Sequence, residues 1–105
     1  MLRHVDPAEK MRVIVKPEEG FYFCTDDGAY TQYSALNLEE FADALKNVPI
    51  RSIEYHMARG DLKNWLKFIG KPDLAKEFEE AKALDLSEES LRLRLIEIIE
   101  NGMRK

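Results

Sequence analysis

At Asn37 the chain changes character, and no other feature limits the fold as much. Before it, apolar residues come in short β-branched and aromatic runs broken by Pro, Gly and Asp. After it, they recur at helical spacing. Asn37 and Glu40 stand as in a capping box, where the Asn side chain accepts an orphan backbone N–H and the Glu reaches back. Behind them Leu38, Phe41, Ala42, Leu45 and Val48 fall at i, i+3, i+4, i+7 and i+10, a single apolar stripe. A helix starts here, and what precedes it is of another kind.

Residues 1 to 10 are polar, contain Pro7 and follow neither period, so they read as a loose lead-in. Met11 to Lys16 is a β-branched run ended by Pro17, with Glu18-Glu19-Gly20 as a turn. Phe21 to Thr25 is a second apolar run, and Asp26-Asp27-Gly28 signals a hairpin because Gly tolerates the positive φ such turns need. Ala29 to Ala35 is the return strand. Residues 11 to 35 therefore form a β-meander of two or three strands.

Beyond Val48 the periodicity continues. Pro49 suits a first helical turn, which tolerates its missing N–H, and Ile50, Ile53 and Met57 share a helical face. Ile53, Tyr55 and Met57 also alternate with polar neighbours at strand period. Helix is preferred, because Arg59-Gly60 supplies a C-terminal cap and Asp61 an N-cap for the helix that follows. Leu62, Trp65, Leu66 and Ile69 make its stripe, stopped by Gly70 and Pro72. Asp73 begins or caps the next helix, with Leu74, Phe78 and Ala81 in register. Ser87 caps a last helix ending near Asn101-Gly102, with Glu88 and Glu89 favourable against its dipole. Its apolar arc is wide: Leu91, Leu95, Ile96, Ile98, Ile99 and Met103, with Leu93 on the far side. Such a helix is either buried on several faces or meets a second chain.

A chain of 105 residues supports one core, so residues 1–105 read as one domain with a helical part over 37–103. Twenty acidic against sixteen basic residues give a net charge of −4, with no cationic stripe. That disfavours nucleic acid, whose binding needs a face able to displace counterions. The lone Cys24 cannot pair internally and points to a reducing compartment. No leader-like run and no membrane-length apolar segment is present, so the cytoplasm is expected. Abundant Glu and Lys with a single Gln and four Asn resemble the composition of heat-adapted proteins.

Candidate chemistry centres on His56. Arg59 and Asp61 lie within five residues of it, and a carboxylate beside an imidazole can fix its tautomer and prepare it for acid–base work. His56 and Asp61 are the catalytic candidates; Tyr55, His56 and Arg59 are the ligand-binding ones, suited to an anion. The plainer reading is a half-buried structural histidine. Cys24, next to Phe23, reads as a small buried side chain rather than a nucleophile. His4, Cys24, Asp26, Asp27 and His56 lack metal-ligand spacing, so neither a metal nor a cofactor is expected. Trp65 is in register with Leu62, Leu66 and Ile69 and reads as core. Tyr22, Tyr30, Tyr33 and Tyr55 read as half-buried aromatics. Leu93, Ile96 and Met103 are the candidate interface.

Phe21-Tyr22-Phe23 before a Gly turn, Asn37-Leu38-Glu39-Glu40-Phe41, Ser52-Ile53-Glu54-Tyr55-His56, then Gly60-Asp61 to Trp65-Leu66 and Leu91 to Glu100 resemble an uncharacterised small domain family of archaea and bacteria. Its signature is a Ser-Ile-x-aromatic-His segment followed by an Asp-x-x-x-Trp helix. The resemblance spans roughly residues 20 to 100 and implies a fold without an activity. Leu62 stands where an aromatic is usual, and the stretch between His56 and Asp61 is short, which would reduce any pocket built there. The expectation is an α+β fold, mostly α: a meander followed by four to five packed helices. Its expected role is a non-enzymatic interaction or regulatory module whose partner is another protein or a second copy. The alternative is a small-molecule or enzymatic site around His56, Arg59 and Asp61.

Overall fold

A computed structural model describes residues 16–104. A 3₁₀ turn at Pro17–Glu19 leads into β1 (Phe21–Cys24) and β2 (Tyr30–Ala35). Five helices follow: α1 (Leu38–Asn47), α2 (Ile50–Arg59), α3 (Asp61–Phe68), α4 (Pro72–Ala83) and α5 (Glu88–Arg104). The fold is α+β and mostly α. Of the expected two- or three-stranded meander, the run at 11–16 lies, apart from Lys16, outside the described residues, as does the lead-in at 1–10.

The hairpin is antiparallel, pairing Phe21 with Ala35, Tyr22 with Ser34 and Cys24 with Tyr30. Phe23 thus faces three residues, Thr31 to Tyr33, and the bulge places Gln32 at φ 71°. Thr31 mends the ladder: its hydroxyl donates to the Phe23 carbonyl at 2.7 Å and accepts from the Tyr33 N–H at 3.2 Å. The turn closes as its sequence indicates. Gly28 takes φ 84°, and Asp27 accepts from the Ala29 N–H at 3.2 Å and from the Thr25 hydroxyl. The Thr25 hydroxyl, more than any other contact, holds the Asp27 carboxyl below the ordinary carboxylate value.

At α1 the Asn37 side chain accepts from the Glu40 N–H at 2.8 Å. Glu40 reaches one residue further back than a capping box requires, accepting from the Leu36 N–H at 2.8 Å. Its expected stripe is buried, as is that of α3. Residues 50–59 are helical, and Gly60 ends α2 in the left-handed region at φ 78°, where a Cβ would be strained. At α4, Pro72 takes the first helical position and Asp73 stands in the first turn.

One apolar cluster joins hairpin and helices. Phe41 and Trp65 stack at 5.0 Å, and Phe21 meets both edge-on. Trp65 also donates its indole N–H to the Glu19 carbonyl at 3.0 Å, tying the approach to β1 to α3. Helix α5 packs on α1, α2 and α4. Two features of that packing go beyond the apolar stripes. Arg92, mostly buried, donates to the Leu45 carbonyl at 2.7 Å near the end of α1. Gly102 does not end α5, which continues to Arg104; instead a Cβ there would lie 2.7 Å from Leu74 Cδ2, so its bareness permits the close approach of α5 to α4.

Candidate functional site

The site is built where α2 lies along the outer edge of β1. In an antiparallel pair, successive residues turn their backbone groups alternately toward and away from the partner strand. Phe23 and Thr25 face β2: the Phe23 carbonyl accepts from Thr31 and the Thr25 N–H donates to the Ala29 carbonyl at 2.9 Å. Cys24 between them faces the other way, and a free edge would leave its amide and carbonyl without partners.

Helix α2 satisfies both. Ser52 donates its hydroxyl to the Cys24 carbonyl at 2.7 Å, and His56 Nε2 accepts the Cys24 N–H at 2.9 Å. Spaced i and i+4, the two side chains rise from one face of the helix and take the place of a neighbouring strand. Arg51, on the next face, bonds the hairpin turn through Asp26 at 2.8 Å. That contact raises the Arg51 guanidinium above its usual value, with the Asp26 hydrogen bond the largest cause.

The His56 tautomer follows from its neighbours. Nε2 faces a backbone donor and must present a lone pair, so the proton of the neutral ring is on Nδ1. It points at Asp61 Oδ2, 2.8 Å away. The same oxygen accepts from Arg59 Nε at 2.9 Å, and the Arg59 guanidinium lies 5.2 Å above the Tyr55 ring. Asp61 raises Arg59 above its usual value, chiefly by that hydrogen bond. His56 is 5% exposed, with the rings of Phe21, Tyr55 and Phe23 at 4.8, 5.0 and 5.9 Å from its own.

The four candidate residues Tyr55, His56, Arg59 and Asp61 therefore come together at the corner between α2 and α3. One expected role is corrected. Asp61 does not cap α3: Gly60 occupies the N-cap, and the Asp61 carboxylate turns back to His56 and Arg59 instead. The Arg59 guanidinium and the His56 Nδ1–H, both on the same carboxylate oxygen, outcompete amides that the first turn leaves open to solvent. Cys24 is corrected too, being partly exposed rather than buried; what the site uses is its backbone. Ser52, wholly buried, was absent from the candidates. The signal was present in its i, i+4 spacing from His56 on the apolar face with Ile53 and Met57, since a hydroxyl there must find a partner.

Beside His56 is a recess of about 20 Å³, room for a water molecule and far below the size of a metabolite site. Met57, Leu62 and Phe78 line it, with Lys63, Glu79 and Lys82 also contributing. Lys63 and Glu79 pair there at 2.7 Å, and that bond is the main reason the Glu79 carboxyl falls below its ordinary value. Among the described residues no three of His, Cys, Asp and Glu converge as a metal site would require. His4 lies outside those residues. No helix among them is long and apolar enough to cross a membrane.

The interface candidates are on α5. Leu93 is 65% and Met103 38% exposed, while Ile96 is half-buried against the core. The hairpin tyrosines depart from expectation: Tyr22, Tyr30 and Tyr33 are 42, 49 and 40% exposed, and Tyr22 meets Tyr30 edge-on at 6.0 Å. Among the described residues β1 and β2 form the whole sheet, and no helix of that set covers the face these tyrosines share.

A family model matches residues 2–100 of the chain. The chain belongs to DUF5752, a family of unknown function. That agrees with the expected resemblance to an uncharacterised domain family, and it assigns no activity. No curated protein and no solved structure matches the chain.

Proposed function

We propose that this DUF5752 chain is a non-enzymatic protein-interaction module, folded as one domain and working in the cytoplasm. The observation that carries the reading is the commitment of His56 and Ser52 to the fold. Both nitrogens of His56 and the hydroxyl of Ser52 are engaged. A general base needs a free lone pair aimed at substrate, and the lone pair on Nε2 is taken by a backbone amide. Meanwhile the side chains suited to contact a partner are displayed elsewhere. Tyrosine is enriched at interfaces because it combines apolar area with a polar tip, and Tyr22, Tyr30 and Tyr33 present three such rings on the hairpin.

A photo-crosslinking residue at Tyr30, with one at Glu54 as control, tests this in the source cells. A discrete protein adduct from position 30 alone supports the reading. A small molecule that moves the His56 ring resonances of the purified protein would overturn it in favour of a ligand site at Tyr55, His56 and Arg59.

A second reading, self-association through α5, is favoured by the exposure of Leu93 opposite the buried Leu91, Leu95, Ile98 and Ile99. Sedimentation of the wild type and of Leu93→Asp tests it: a dimer lost in the variant supports it, and monomers in both contradict it.

A further inference from the structure

We propose that His56 is a proton-operated clasp: in its neutral form it holds the edge of β1 to α2, and on taking up a second proton it lets go of the Cys24 amide while keeping Asp61. The inference goes beyond an interaction role and stands on the direction of two hydrogen bonds. Nε2 accepts from the Cys24 N–H at 2.9 Å. A proton on Nε2 would turn that acceptor into a donor facing a donor, and the contact cannot survive it.

The other bond behaves in the opposite way. Nδ1 already donates to Asp61 Oδ2 at 2.8 Å, and charging the ring turns this into a bond between two ions, which is stronger. Acid thus exchanges one partner of the same side chain for a tighter hold on the other. That separates a switch from simple acid unfolding: the protonated ring has a counter-ion in place, and the helical corner that carries it is unchanged.

The surroundings of the ring determine what else can respond. On α2 they are Arg59 and Tyr55, with Arg59 already paired to Asp61. On α3 they are Asp61 and Lys63, and on α4 Glu79 and Lys82, which share the recess with His56. Lys63 and Glu79 neutralise each other, and Lys82 donates to the Ala58 carbonyl at 3.4 Å. On β1 the titratable groups are the Cys24 thiol and the Tyr22 phenol, the latter exposed with its hydroxyl on the Pro17 carbonyl. Asp61 is the carboxylate in direct contact with the imidazole. Ser52 and Arg51 are untouched by the proton, so release is confined to the Cys24 amide and loosens the hairpin edge without freeing the hairpin.

Hydrogen exchange of the Cys24 amide, followed by NMR from pH 8 to pH 5, where imidazoles titrate, and corrected for intrinsic exchange, tests this. In the wild type, protection should fall about tenfold, the equivalent of one lost hydrogen bond, in step with protonation of the His56 ring read from its nitrogen shifts. In His56→Gln, whose amide oxygen can accept the same N–H and cannot titrate, protection should stay flat. In Asp61→Asn, where Nε2 still faces the Cys24 N–H, loss of protection should again coincide with protonation of the ring. Equal pH dependence in wild type and His56→Gln would overturn the clasp. If His56→Gln does not fold, the wild type still decides: Cys24 protection that persists with the ring protonated is the contrary result.

Discussion

The hairpin shares the apolar cluster of the helices through Phe21, Phe23 and Ala35, but its outer edge is held by a different force. Helices α1 to α5 close on each other through apolar stripes and one aromatic stack, whereas the edge of β1 is joined to α2 by hydrogen bonds from Ser52 and His56. Apolar burial is non-directional and proportional to area, so a stripe tolerates small shifts. A buried hydrogen bond is worth little net but costs a great deal when one partner is removed. The helical part should therefore lose stability in proportion to volume removed, and the hairpin edge by loss of individual atoms.

The largest effect is expected on the helical side of this comparison. Trp65→Ala removes the ring that stacks on Phe41 and the donor to Glu19, and should cost about 3–5 kcal/mol in urea denaturation. A cost under ~1 kcal/mol would mean that the stack does not hold the core. Next comes the hairpin edge. Ser52→Ala orphans the Cys24 carbonyl and should cost about 1–3 kcal/mol, although it removes a single atom. Amide protection should fall around β1 more than in α5; a uniform loss would erase the distinction between the two regions.

These two residues also show what the sequence made legible. Trp65 was placed because core helices repeat every three to four residues, and burial follows from that repeat alone. The same regularity gave α1 to α5 and the Gly60 cap. Ser52, by contrast, sits within an apolar face, and its partner is a backbone group 28 residues away, which no local pattern encodes. Asp61 misled for a related reason: an aspartate following a cap glycine has the local signature of an N-cap, and only the corner between α2 and α3 brings His56 closer. The bulge at Gln32 had no glycine to announce it. Gly102 resembled a helix end, because close approach to Leu74 and helix termination call for the same residue.

Gly102→Ala probes helix packing from the opposite direction, by adding volume. The new methyl meets Leu74, and the expected loss is about 1–2 kcal/mol by thermal melting, reduced when Leu74 is shortened to Val. An unchanged melting temperature would show that α5 and α4 have room to spare. The smallest effect belongs to the exposed Lys63–Glu79 pair. Because the folded carboxyl of Glu79 is lowered, its contribution is present above the unfolded value and disappears as pH falls through the folded one. Lys63→Met should flatten that acid-side slope slightly; an identical slope in both proteins would show that solvent screens the pair completely.

The central claim, that His56 joins strand to helix through a fixed neutral tautomer, is tested most directly by long-range ¹H–¹⁵N correlation of its ring at pH 8. The geometry predicts a protonated Nδ1 and an unprotonated Nε2 that shares a hydrogen bond with the Cys24 amide. A proton found on Nε2, or a ring averaging between the two tautomers, would contradict it.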